Sequence, residues 1–401
     1  MTALRQFAQA SQVPLLMAIC FVLPMRVSYV YLLSALLLMA VLSSGGLYDR
    51  LHGMIRSRPC QLAVAYFSVV LLAMLWTEHR DEGWHFVGRH LPFLLFALYW
   101  SASEAATRER CLKAFIAGVA ACALLAHYNW LQHYFFPDWP RGIRVFKSAE
   151  DTAPFIDRIM YAPILALGSY IALEQLLTKR SMVAIAGWSF VVALLLSNLA
   201  FSGGRAGMVA FAVMFVIMVF QRFASWPRAL VVSTVALVFA FSALHTTSGY
   251  FRERADEALN DLRNFDTNPR SSVGERLIYW TTSAQVFLKH PLIGVGSGDF
   301  QAEYVKARAA RWADTPDSYN PHNQFLMTGA TTGLLGLGVL IAFLGSIARA
   351  SDDRRAMVLV SGFLVACLFE SYLWRSNTSL TFMVLMALLS RTSAPGERRV
   401  R

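Results

Sequence analysis

The sequence predicts an all-α polytopic membrane protein, with about 12 transmembrane helices and a long, partly helical loop between the ninth and tenth. Three observations predict it. Of 401 residues, 56% are hydrophobic and 15% charged, at a mean hydropathy of +0.46, a combination that soluble domains rarely reach. Apolar runs recur along nearly the whole chain, many of them close to the ~20 residues that cross a bilayer as a helix. Lysine and arginine concentrate in alternate connections between the runs, which is the asymmetry that orients membrane helices.

The spans are expected at 12–24, 27–43, 60–77, 86–100, 111–135, 157–177, 181–200, 205–222, 227–245, 323–348, 354–373 and 377–391. Several, the first, second and fourth among them, are shorter than an upright crossing requires. The first run contains Pro14 and Pro24 and is followed by Arg26 rather than a small-residue cleavage site, so it reads as a retained helix.

With the N-terminus inside, inner segments carry 18 lysines and arginines and the short outer segments 8. Both termini are therefore expected in the cytoplasm. The chain divides into helices 1–9 (1–245), an outer helical loop (246–321), and helices 10–12 with a cytoplasmic tail (322–401). The net charge of +11 is partly this inside bias, and no nucleic-acid-binding motif accompanies it. Arginines on the outer side run against the rule, so an anionic partner there competes with simple snorkelling to headgroups.

Cys20, Cys122 and Cys367 fall within expected spans and Cys60 and Cys111 near inner ends, so a structural disulfide is not expected. No HExxH, CxxC or EF-hand pattern occurs. Neither a tightly bound metal nor a cofactor is expected.

The outer loop has the periodicity of helices. Phe251, Ala255, Ala258, Leu259, Leu262 and Phe265 recur at helical spacing among charges, which predicts an amphipathic helix lying on the membrane surface. "DTNPRSS" interrupts it. A second helix starts at Ser272 with an apolar stripe of Leu277, Trp280, Ala284, Phe287 and Leu288. Arg276 lies beside that stripe, four residues before Trp280, and either stacks on the indole or is an ordinary solvated arginine. "HPLIGVGSGDF", residues 290 to 300, ends this helix in a glycine-rich turn; its spacing is not GxGxxG and no strand precedes it, so no nucleotide site follows. A third short helix carries Phe300, Tyr304 and Ala307.

Two further stretches carry candidate chemistry. In "FSGGRAG", residues 201 to 207, Gly203 and Gly207 have GxxxG spacing, while Arg205 is too costly to face lipid and should point into a cavity. In "DSYNPHNQFLMTGATTGLLG", residues 317 to 336, His322 sits where a polar loop becomes an apolar helix. By itself such a histidine reads as a cap or interfacial residue. Imidazole is also the side chain suited to take a proton near neutral pH.

The joint pattern of "FSGGRAG", "GERLIYWTTSAQVFLKHPLIGVGSGDF" and "NPHNQFLMTGATTGLLG" in this order resembles the O-antigen ligase and O-antigen polymerase superfamily over essentially the whole chain. The resemblance implies a GT-C-like glycosyltransferase that moves glycan from undecaprenyl diphosphate to lipid A-core at the periplasmic face of the inner membrane, inverting the anomeric centre without metal. It makes His322 the essential loop histidine and Arg205 and Arg276 the motif arginines that hold the diphosphate. Arg80 and Arg89 match a basic region of relatives more loosely, and Asn323 either orients His322 or caps the helix. Polymerase and protein O-oligosaccharyltransferase activities of the same superfamily remain open, as does, outside it, a lipid or polysaccharide transporter. The expected partners are the lipid-linked glycan, lipid A-core and membrane lipids, with no nucleic acid.

Overall fold

The computed structural model describes residues 2–140, 142–144, 151–247, 249–263, 271–309 and 317–391, and every regular element among them is helical. Phe265, most of "DTNPRSS", Lys147 and the arginines after 391 lie outside the described residues, as do the side chains of Ala255, Ala258, Leu259 and Leu262.

The chain begins with α1 (Thr2–Val22), α2 (Val27–Ser43), α3 (Leu47–Arg56) and α4 (Arg58–Leu72), the last prolonged by a 3-10 turn at Ala73–Trp76. Next come α5 (Arg80–Arg89), α6 (Pro92–Ala102), α7 (Arg108–Tyr134), α8 (Arg158–Leu176), α9 (Met182–Phe201), α10 (Arg205–Arg222) and α11 (Trp226–Thr247). The segment between the ninth and tenth expected spans folds as α12 (Gly249–Arg263), α13 (Ser272–Lys289) and α14 (Phe300–Ala309). The chain ends with α15 (Gln324–Ala350), α16 (Arg354–Ala366) and α17 (Ser376–Ser390).

Each expected span contains a helix, but only seven helices among the described residues are long and apolar enough to cross a membrane unaided: α4 with its 3-10 turn, α7, α8, α9, α10, α11 and α15. An eighth follows if α2 and α3, bent by 115°, count together. The run 86–100 is split because its first part belongs to α5 and a new helix starts at Pro92, whose missing N–H costs nothing in a first turn. The run 354–373 is helical only to Ala366. After it, Cys367–Arg375 forms a compact connection whose Leu373 and Trp374 amides donate to the Gln324 side chain at 2.8 and 3.3 Å. α3 lies between the expected spans 27–43 and 60–77, and none of its residues is buried.

The core gathers around α17, every residue of which from Asn377 to Ser390 is buried, packed by α6 and α8. α15 lies chiefly against α4 and α13. It is broken at Gly333, whose φ of 66° with ψ of −162° is a combination essentially confined to glycine, and the turn 290–296 fills the break. Val295 and Gly296 amides donate to Ala330 and Thr331 carbonyls at 2.9 and 3.0 Å, and Leu334 donates to Pro291 at 2.7 Å. Backbone groups freed by the break are thus satisfied by "HPLIGVG". A Cβ on Gly294 would lie 2.4 Å from the Thr331 carbonyl group, which explains the glycine. The motif's role is to lock α13 onto α15.

Away from that lock, Arg108 and Arg355 bind Asp353 at 3.3 and 2.6 Å, and Arg355 also pairs with Glu109. These pairs tie the start of α7 to the start of α16.

Candidate functional site

The arrangement at the start of α15 begins with Asn323. Its Oδ1 accepts from the amides of Phe325 and Leu326 at 3.0 and 3.1 Å, so this residue is the helix N-cap. Its Nδ2 donates to the Leu368 carbonyl at 3.2 Å, and the Gln324 amide donates to Cys367 O at 2.8 Å. Capping α15 therefore also docks the 367–375 connection against it.

That docking brings Glu370 to His322. Glu370 Oε2 lies 2.7 Å from His322 Nδ1, with 2% of the carboxylate side chain and 27% of the imidazole exposed. The acid is buried and the ring is reachable. Asn320 Nδ2 donates to Glu370 Oε1, as does the Ser371 amide at 3.0 Å. Asn320 Oδ1 in turn accepts from the His322 amide at 3.0 Å and from Ser371 Oγ at 2.7 Å. The network holds His322 at a φ of 51°, the left-handed region, at a cost of about 1–2 kcal/mol.

Burial pushes the Glu370 carboxyl up, but the bond and charge of His322, the charge of Arg375 and the Asn320 amide together hold it down at about 2. The carboxylate is then ionised at neutral pH and can only accept hydrogen bonds. Nδ1 must carry the proton between them. A neutral His322 ring consequently has its lone pair on Nε2, the tautomer of a general base.

Other elements frame the ring. Tyr279 of α13 stacks on His322 with centroids 5.6 Å apart at 29°, and Tyr304 of α14 stands 6.3 Å beyond it. Arg276, half-buried, is one turn before Tyr279 on the same helix face, close enough for its charge to act on Tyr372. It is not stacked on Trp280; the cation–π contacts among the described residues use Trp374, Trp188 and Trp100.

Tyr372 O–H donates to Ile159 O of α8 at 3.0 Å, linking the connection to the α8–α10 junction. Arg205 begins α10 at that junction and is exposed. Gly203 makes the turn before it with a φ of 69°, and at Gly204 and Gly207 a Cβ would run into Ala162. Arg80 is exposed at the start of α5. Arg89 is brought in: its guanidinium lies 3.8 Å from the centroid of Trp374.

The structure thus sets His322 and Asn323 at the start of α15 and Arg89 against Trp374 of the connection that carries Glu370, with Arg276 one helical turn from the ring that stacks on His322. It adds Glu370, Asn320, Tyr279 and Arg375, which sequence reading did not assign to a site. Glu370 did leave a signal: it is the sole Asp, Glu, Lys or Arg between Ala356 and Trp374, and an ionisable group in an apolar run is costly unless it has a task. Among the described residues no group of three or more His, Cys, Asp or Glu converges to hold a metal ion.

A comparison with curated proteins gives no match. Residues 190–341 match the family model described as O-antigen ligase. The matched segment contains Arg205, Arg276 and His322, ends before Glu370 and Arg375, and supports an O-antigen ligase-family protein.

Proposed function

We propose that the protein is an O-antigen ligase: it transfers glycan from undecaprenyl diphosphate to lipid A-core at the periplasmic face of the bacterial inner membrane. The observation that carries the reading is the His322–Glu370 pair, which leaves Nε2 free to accept a proton at an accessible position inside the O-antigen ligase segment. In this reading the twelve apolar segments all contribute to a multi-pass bundle with both termini cytoplasmic. The 246–321 loop and the His322 end face the periplasm.

His322 Nε2 takes the proton of an acceptor hydroxyl as its oxygen bonds to the anomeric carbon. The bond from that carbon to the diphosphate oxygen breaks, and undecaprenyl diphosphate leaves with the electron pair. Attack opposite the leaving group inverts the centre. Glu370 stabilises the imidazolium that forms, a positioning role. Arg205 and Arg276 are assigned to the diphosphate, where a planar guanidinium can make paired bonds to phosphate oxygens and offset the growing charge without a metal. A positioned base contributes a factor of ~100 to 10,000.

Reconstitution of the purified protein with lipid-linked glycan and lipid A-core tests this, scored for the joined product. A longer lipid-linked glycan with no transfer to the core would make the protein a polymerase instead, and glycan appearing on an added pilin would make it a protein O-oligosaccharyltransferase. Equal passage of unaltered lipid across a vesicle would point to a transporter.

A further inference from the structure

Trp374 is 6% exposed, yet it is bracketed by two cations. Arg89 of α5 lies 3.8 Å from its ring centroid and Arg375, at the N-cap of α17, lies 5.6 Å from it. Both charges therefore bear on one patch, within roughly a Debye length of each other. Arg375 reaches Glu370 Oε2 at 3.6 Å, but that oxygen is already bonded to His322 at 2.7 Å. Its buried Nε has no hydrogen-bond partner. Among the described residues no carboxylate pairs with Arg89, and its side chain is open to the surface. Two like charges held together on a rigid indole, with donors left over, form a place where an anion relieves repulsion.

We propose that Arg89 and Arg375 form a phosphate subsite for the acceptor, supported by Trp374. The inference rests on the ligase reading for the identity of the acceptor. The acceptor side follows from the geometry: Arg375 and His322 share one carboxylate oxygen, so an anion on Arg375 lies beside the ring that takes the acceptor's proton. Arg276, which the ligase reading gives to the donor diphosphate, stands on another element, α13, one turn before the Tyr279 that stacks on His322. The substrate class is thus a glycan with a phosphate near its reacting hydroxyl. A planar fork on each side can hold two phosphate oxygens at once.

The test compares wild-type protein with Arg89→Gln and Arg375→Gln on phosphorylated and dephosphorylated lipid A-core. The expected result is an acceptor KM raised about ten- to hundredfold for the phosphorylated acceptor in either variant, with donor KM unchanged and a much smaller effect on the dephosphorylated acceptor, so that the preference for the phosphorylated one is lost. Arg89→Gln leaves the Glu370 pair untouched, so it remains informative if Arg375→Gln fails to fold. A raised donor KM, or the same loss on both acceptors, overturns the subsite. Equilibrium binding of phosphorylated core oligosaccharide to the purified protein gives a second readout that needs no turnover. Selective weakening in the variants supports the subsite even if ligation is absent, and equal binding of both oligosaccharides by wild type and variants overturns it whatever the reaction.

Discussion

His322 Nδ1 and Glu370 Oε2 are 2.7 Å apart although 48 residues separate them in the chain. The contact exists because α16 stops at Ala366 and the connection after it folds back on the cap of α15. Its chemical consequence is the choice of tautomer. Glu370→Gln keeps the size of the side chain but offers an amide that can donate to Nδ1, which moves the ring proton to Nε2 and removes the base. Transfer is expected to fall by about 100- to 10,000-fold in kcat, with KM values little changed. Glu370→Asp, which keeps the charge, should recover part of the loss. Single-turnover assays on well-folded protein would show the role to be merely structural if both variants lost activity only in proportion to lost folding.

The same carboxylate predicts a pH dependence of stability. Glu370 titrates at about 2 in the folded protein, below the ~4.3 of a free glutamate. A depressed carboxyl stabilises the fold fully above its unfolded value and loses that contribution as pH falls through the folded one. The gap in melting temperature between wild type and Glu370→Gln should therefore not be closed by Glu370 protonation anywhere from pH 7 to about 4.5, and should shrink below that. Thermal unfolding of the detergent-solubilised proteins across pH 2 to 7 measures it. A gap set by Glu370 protonation and closed by pH 6 would mean a carboxyl raised rather than lowered.

How much of this was legible beforehand depends on the distance over which each feature is determined. Apolar segments such as 111–135 and 157–177 are set by local composition, and α7 and α8 occupy them. A hydrophobic run masks helix ends: the split of 86–100 is marked locally only by Pro92, and the shortening of 354–373 is fixed by a tertiary partner, the Gln324 side chain accepting from Leu373 and Trp374. His322 was legible as a loop-to-helix histidine within a motif. Its partner was not, since no local spacing connects 322 with 370. Asn323 was legible as a cap from residue type alone, whereas the seat of Arg89 on Trp374 depends on two elements 285 positions apart in the numbering.

The glycines of the 290–296 turn yield a stability prediction separate from chemistry. Gly294 has a φ of 71°, and a Cβ there would lie 2.4 Å from the backbone of Thr331. Gly294→Ala combines left-handed strain with a clash that no side chain can relieve, so it should destabilise by about 2 kcal/mol or more and lower the melting temperature by several degrees. Gly187→Ala is the control: it is an exposed position of α9 with nothing within 4 Å of its added Cβ, and there a helix gains about 1 kcal/mol or slightly less. Equal melting temperatures for the two variants would show that the turn does not lock α15.

The left-handed backbone at His322 makes the usual alanine substitution an ambiguous test of the base. Alanine removes the imidazole together with its bond to Glu370, part of the network that holds the backbone at a φ of 51°, so the strain of about 1–2 kcal/mol is left without that offset. Asparagine tolerates that region far better. His322→Asn is therefore expected to abolish transfer while keeping a near-native melting temperature, and His322→Ala to abolish transfer with a lower one. His322→Gly should resemble asparagine in backbone strain, apart from glycine's entropy cost. Measured together, the three separate chemistry from folding: if His322→Asn turned over at a substantial fraction of the wild-type rate, the proton would have to go elsewhere, and Glu370 would be orienting a ring that takes no part in the reaction.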